Sequence, residues 1–270
     1  MQFRDSVGGT FLVAAVLCIV CSVLVSSVAV GLKSKQEENK ELDRQRNILL
    51  AAQLIDKDAT NDDVAKAFDS KVKKIIIDLD TGERVDNIEN PPVDIKTFNQ
   101  KESLGKEGMS EEIPKDAPKD ERLGDLPKRE KYSFVYLIEE DDKLATIVLP
   151  FYGKGLWSTM YGYVALKSDT ETIAGLTYYE HGETPGLGGE VDNEMWKAQW
   201  EDTKAIDDDG TVVVSVVKAG SANDGLGSVI DGLSGATITT KGVNTMIRYW
   251  LGPGGFGPFL EKVRKGEFNG

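Results

Sequence analysis

Residues 11–32, FLVAAVLCIVCSVLVSSVAVGL, form an uncharged apolar run of about 22 residues, and this run limits the architectures open to the chain. As a helix rising about 1.5 Å per residue it extends about 33 Å, close to the thickness of a bilayer's hydrocarbon core. A helix satisfies its own backbone groups in lipid, and Ser22, Ser26 and Ser27 can bond back to carbonyls of the preceding turn. A cleaved signal peptide has a shorter apolar core, of about 7–15 residues, behind a basic start. Here the start is MQFRDSVGG, in which Asp5 offsets Arg4. The run therefore predicts a retained transmembrane helix over residues 11–32, in contact with membrane lipid. Lys33 and Lys35 follow it directly, so basic residues do not mark one flank as cytoplasmic.

The only cysteines, Cys18 and Cys21, lie within this run, where they read as small apolar fillers. None is left for a disulfide framework or a thiolate metal site in the remaining chain, and a single histidine, His181, excludes a His-rich metal centre. The formal net charge of −13, from 32 Lys and Arg against 45 Asp and Glu, argues against a nucleic-acid partner, since phosphate backbones attract clustered basic residues. An acidic, well-solvated domain that binds a small ligand or docks to other proteins fits this balance.

Behind the apolar run, KSKQEENKELDRQRN alternates in sign and reads as a solvated helical stalk. Apolar residues at helical spacing follow over 48–54 and 64–68, with Thr60 or Asn61 as the cap. Lys74–Leu79 reads as a strand closed by Asp80, Thr81 and Gly82, and residues 100–130, rich in Lys, Glu, Asp and Pro, read as a long charged surface loop. From Tyr132 onward short β-branched and aromatic runs predict strands at 133–138, 144–149, 161–166, 173–179 and 212–217. Helices are expected over 194–200 and 238–251, the latter from Val243, Met246, Ile247 and Trp250. The expectation is an α+β fold: a largely antiparallel sheet with flanking helices, preceded by one N-terminal transmembrane helix. Its expected divisions are the membrane helix (11–32), a stalk and N-terminal part with the charged loop (33–130), and a ligand-binding domain (131–270).

The stretch richest in chemistry is DGLSGATITTKGV, residues 231–243. Gly232, Ser234, Gly235 and Ala236 let a bound group approach the backbone, and hydroxyls cluster where the last amphipathic helix begins. A helix start offers unpaired N–H groups and a positive dipole end to a phosphate, although Ser and Thr also serve there as ordinary caps. It is no P-loop, because Gly-Lys-Ser/Thr is absent at the required spacing. Upstream, HGETPGLG (181–188) places Pro185 and Gly186 in a tight turn, with Glu183 and Thr184 as polar groups for a ligand; alone it reads as a surface turn. GKGLWS (153–158) reads alone as a turn beside a core tryptophan.

Ser234-Gly-Ala-Thr237-Ile-Thr239 resembles the flavinylation motif, S/D-G-A-T/S-x-T, of the FMN-binding domain family of bacterial respiratory complexes. The resemblance implies FMN joined by a phosphoester to Thr239, transferred there from FAD by a flavin transferase. Thr240 is an extra hydroxyl beside the acceptor. The 181–188 stretch is similar to the family's H-x-E-T-P-G-L-G loop, and 153–157 to its G-x-G-L-W loop. Together they nominate Ser234, Gly235, Ala236, Thr237, Glu183, Thr184, Gly186, Leu187, Gly188, Leu156 and Trp157 as FMN contacts. Within the family, chain length and the insertion before residue 130 look most like the C subunits of sodium-translocating NADH:quinone reductases, with the shorter G subunits of Rnf-type complexes as the alternative. An anchored interaction domain without redox chemistry and a flavin-dependent sensor outside respiration are the remaining alternatives. The resemblance implies an electron-relaying subunit with no complete active site of its own, docked to other subunits of an inner-membrane complex, its soluble part on the periplasmic side. A flavin passes electrons singly, and an ester prevents its loss without a deep pocket.

Overall fold

One helix, α1 (Val7–Ala51), contains both the apolar run and the charged stretch behind it. The computed structural model describes residues 7–85, 87–89, 92–114, 122–141, 143–222 and 227–268. In the apolar part Ser27 donates to the Val23 carbonyl at 2.7 Å, the back-bond expected of a serine in lipid. Phe11 is 73% and Val25 68% exposed among the described residues. Among the described residues α1 alone has the length and hydropathy to cross a bilayer, and apolar surface of this extent is stable in lipid, not in water. Along the polar part Arg44 meets Glu41 at 2.8 Å across one turn.

The chain falls into two compact units, Met1–Arg44 and Gln45–Gly270. In the second, Thr60 caps α2 (Asn61–Lys71) with a capping box: the Asp63 N–H donates to Thr60 Oγ1 at 3.2 Å, and the Thr60 N–H to Asp63 Oδ2 at 3.3 Å. There follow β1 (Val72–Asp78), β2 (Asn87–Glu89), β3 (Pro92–Asp94), α3 (Gln100–Ser103), β4 (Ser110–Glu112), β5 (Lys128–Glu130), β6 (Tyr132–Glu140), β7 (Lys143–Lys154), β8 (Thr159–Lys167) and β9 (Ile173–Glu180). The main sheet has the order β1-β6-β7-β8-β9, antiparallel throughout. With α4 (Glu194–Lys197), β10 (Ser215–Val216), β11 (Val229–Ile230), α5 (Thr237–Leu251) and α6 (Gly257–Arg264), the fold is α+β, as the sequence predicts. Because β1 pairs with β6, the sheet also includes chain from before residue 131.

Strand alternation gives the sheet two buried faces. On β6, Val135 and Leu137 join the core under α5 and α6, while Phe134, Tyr136 and Ile138 join a second cluster with Ile48 and Ala51.

Several sequence expectations change. Within 100–130, the expected loop contains α3 and an antiparallel β4–β5 pair, Ser110 opposite Glu130; residues 115–121 lie outside the described residues. Composition hid this because Glu130, though charged, is fully buried and accepts from the Tyr152 hydroxyl at 2.6 Å. The strand expected over 212–217 shrinks to β10, paired in parallel with β11, because Val212 and Val214 turn into the core. The expected helix at 194–200 is α4 followed by a 3₁₀ turn, Ala198–Trp200. Helix α6, behind a Gly/Pro-rich stretch, was not expected; Pro258 sits in its first turn, where a missing N–H is harmless. Strand β7 runs past Pro150 to Lys154, since pairing with β6 stops at Val148 and leaves that side of Pro150 without a ladder partner.

These lengths position the loops. β7 and β9 both run antiparallel to β8, so their C-terminal ends lie at the same end of the sheet. They deliver the segments 155–158 and 181–188 side by side. Helix α5 packs along β7, with the Trp250 indole N–H donating to the Tyr152 carbonyl at 2.7 Å. A Cβ on Gly242 would fall 2.1 Å from the Lys154 carbonyl oxygen, which accounts for a glycine inside a helix and brings the first turn of α5 against Gly155.

Candidate functional site

Glu183 is the hub of this end of the sheet. It is only 5% exposed. Its Oε1 accepts from the backbone N–H of Trp157 at 2.9 Å and of Ser158 at 3.4 Å, and its Oε2 from that of Leu156 at 3.1 Å. Oε2 also accepts from the hydroxyl of Thr239 at 2.6 Å. One carboxylate thus joins the loop after β7, the loop after β9 and the first turn of α5. Burial by itself would raise the Glu183 pKa. The Thr239 hydroxyl and the three backbone N–H groups outweigh it and hold the carboxyl below its ordinary value of 4.5, so it is ionised at neutral pH.

The neighbours tighten the same junction. Thr184 Oγ1 accepts from the Trp157 indole N–H at 3.1 Å, and Ser158 Oγ from the Gly182 N–H at 2.7 Å. His181 Nδ1 accepts from the Glu183 N–H at 3.2 Å, which leaves the proton on Nε2 to be donated to Asp192 at 2.8 Å. Gly188 presses on Thr239: a Cβ there would lie 2.6 Å from Thr239 Oγ1 and 2.7 Å from Glu183 Oε2. Gly235 has φ +72° and abuts Leu187 Cδ2, a conformation and an approach that suit glycine.

The cap of α5 is Ala236, and no side chain caps the helix, so its hydroxyls are not spent on capping. They diverge instead. Thr240 Oγ1 accepts from the Leu233 N–H at 3.0 Å, Thr239 points to Glu183, and Ser234 and Thr237 are exposed without a hydroxyl partner among the described residues. Thr237, Ile238 and Thr239, the first-turn residues, keep their N–H groups free of side-chain caps at the positive end of a helix.

Of the nominated residues, Glu183, Thr184, Gly188, Leu156, Trp157 and Thr239 come into one network, Leu187 and Gly235 touch, and Ala236 is the buried cap. Gly186 (φ +76°) shapes the turn without contacting this network. Trp157, 70% exposed, is not the core tryptophan that its loop alone allows. Sequence reasoning missed Ser158, Asp192, Met195 and Ile238. Met195 (80%) and Ile238 (57%) are exposed, like Leu156, Trp157 and Leu187 (43%). Among the described residues of the second unit these five are the exposed large apolar side chains, four of them in the three converging segments. Ile238 carried a signal, an apolar residue amid hydroxyls; Asp192, eleven residues from His181, carried none.

The residues present suit an FMN. A phosphate on Thr239 would lie at the uncapped first turn of α5 once the Glu183 carboxylate gives up its bond to Oγ1, and the exposed apolar side chains offer surface to an aromatic ring system. Lys154 and Lys241 line an open groove of about 210 Å³ beside Ile238 and Gly242, adding positive charge. Thr239 is 1% exposed, so attachment requires movement of the loops that cover it.

Residues 155–252 match the FMN-binding domain family. The chain is 42% identical to the C subunit of the Na(+)-translocating NADH-quinone reductase of Yersinia pestis, over 97% of this chain and 95% of that one. It is also 42% identical to the corresponding protein of Pseudomonas aeruginosa, over 99% and 100%. The chain belongs to the NqrC family. The crystal structure of Shewanella oneidensis NqrC superposes with a TM-score of 0.73 at 33% identity, covering 84% of this chain and 99% of that chain. All three converging segments from Gly155 onward fall within the FMN-binding match. The membrane helix α1 and the β1–β6 pairing lie outside it, in the part shared with the NqrC relatives.

Proposed function

We propose that this chain is the C-type subunit of a Na⁺-translocating NADH:quinone oxidoreductase and relays electrons through an FMN held as a phosphoester on Thr239. The observation that carries the reading is the convergence of the 155–158, 181–188 and 234–239 segments on Thr239 and Glu183. Likeness along nearly the whole chain, including the part before residue 131, favours the C-type complex over the shorter Rnf-type subunit.

FMN, when bound, supplies reversible one-electron chemistry. The chain's residues hold and expose it. Glu183 fixes the Leu156–Ser158 backbone, which sets Leu156 and Trp157 at the surface, and the uncapped start of α5 would favour the negative charge of an ester phosphate. The exposed side chains of Leu156, Trp157, Leu187, Met195 and Ile238 would offer the ring system apolar contact at a surface that neighbouring subunits can reach. Helix α1 serves as a single-pass anchor in the inner membrane, with residues 45–270 on the periplasmic side, where a flavin transferase completes maturation.

The test is the full chain coexpressed with a flavin transferase. The reading predicts a yellow protein whose fluorescence survives denaturing electrophoresis and vanishes in Thr239→Ala. A colourless wild-type chain would contradict it.

A further inference from the structure

The Thr239 hydroxyl is committed to a single partner, Glu183 Oε2 at 2.6 Å. We propose that Glu183 is the proton acceptor for flavin attachment, so that the chain being modified carries the general base for its own modification. This rests on Thr239 being the ester-bearing residue.

Three observations support it. In the closed arrangement both carboxylate oxygens are tied to backbone N–H groups of Leu156, Trp157 and Ser158, which orients Oε2 on the hydroxyl before the covering loops open. It distinguishes among neighbouring hydroxyls: Thr240 is occupied by the Leu233 N–H, and Ser234 and Thr237 are exposed with no carboxylate partner among the described residues, so Thr239 alone is aimed at a base. The nearby imidazole does not compete, because His181 uses Nδ1 to accept from the Glu183 N–H and Nε2 to reach Asp192.

In the reaction Thr239 Oγ1 attacks the FAD phosphorus that bears the riboflavin chain. The bond from that phosphorus to the bridging oxygen breaks, AMP departs with the electron pair, and the hydroxyl proton passes to Glu183 Oε2 and then to solvent. No oxidant or reductant is consumed. Phosphoryl transfer through a loose transition state asks little basicity of the proton acceptor, and a well-placed carboxylate fills this role in protein kinases. Its contribution, typical of general-base catalysis, is about 10²–10⁴ in rate.

The experiment uses the full chain, expressed without a flavin transferase and purified in detergent, then incubated with purified transferase and FAD. Initial rates are read from intact mass and AMP release, and the modified residue from peptide mapping. Glu183→Gln keeps the size of the side chain but puts an amide NH2 in place of one accepting oxygen, and is expected to slow incorporation about 100-fold or more. Glu183→Ala is expected to recover part of the rate when formate is added, which a structural role alone would not produce. Wild-type rates in Glu183→Gln overturn the proposal, and so does a slow Glu183→Ala that formate leaves slow. A wild-type chain that gains no mass, or gains it away from Thr239, removes the underlying reading and this proposal with it.

Discussion

Replacing Gly188 by alanine probes the packing around Thr239 without deleting any hydrogen-bonding group. The added Cβ would fall 2.6 Å from Thr239 Oγ1, 2.7 Å from Glu183 Oε2 and 3.0 Å from Glu183 Cβ. Neither neighbour yields easily, since Glu183 is held by three backbone N–H groups and Thr239 sits in the first turn of α5. Overpacking of this kind costs about 1–3 kcal/mol, and loosening a charge-assisted hydrogen bond about 1.5–3 kcal/mol. One displacement relieves both, so they do not add, and about 2–3 kcal/mol is expected. For a unit of this size each kcal/mol shifts Tm by about 2–4 °C, which gives a drop of about 4–12 °C in calorimetry of the detergent-solubilised chain. If Thr239 bears the flavin as proposed, incorporation should fall in parallel, because its Oγ1 is one of the displaced atoms. Gly186→Ala is the contrast: φ is +76° and nothing lies within 4 Å, so its cost of about 1–2 kcal/mol is backbone strain alone. A Gly188→Ala chain with wild-type Tm and full flavin incorporation would refute the close approach of the 181–188 loop to Thr239.

Thr240→Ala strands the buried Leu233 N–H and should lower stability by about 1–3 kcal/mol in thermal unfolding, yet still yield flavinylated protein by mass; loss of flavin there would move the acceptor to Thr240. Glu130 is raised above 4.5, chiefly by burial, with bonds from Tyr152 and Gln100 only partly offsetting it. A raised carboxyl contributes stability that is full below its unfolded pKa and is lost as pH rises through the folded value. Glu130→Gln should therefore gain Tm over wild type as the pH climbs above 4.5 and lose that advantage below it; the opposite trend would show that the buried carboxylate is stabilised by Arg129. Deleting residues 1–44 should move the remainder into the aqueous phase on detergent partition while the full chain stays with detergent; equal partition would contradict an anchoring α1.

Much of the fold was legible because its signals are local. The apolar run, the aromatic and β-branched strands, and the periodicity of Val243, Met246, Ile247 and Trp250 each report on their own neighbourhood. The misses had non-local causes. Glu130 reads as surface charge until Tyr152 is brought to it from β7, and Pro150 argues against a strand until the end of β6 relieves it of a ladder partner. At the site, the hydroxyl and glycine patterns singled out the three segments that the structure brings together. Nothing in the sequence said that Glu183, 56 residues before Thr239, would face its hydroxyl, because that depends on β7 and β9 ending together.

The most direct measurement is the intact mass of the chain extracted from its native membrane, followed by peptide mapping. The account predicts an increment of FMN less one water, carried wholly by the peptide containing Thr239. A native chain at its unmodified mass, or one bearing the increment on another peptide, would contradict it.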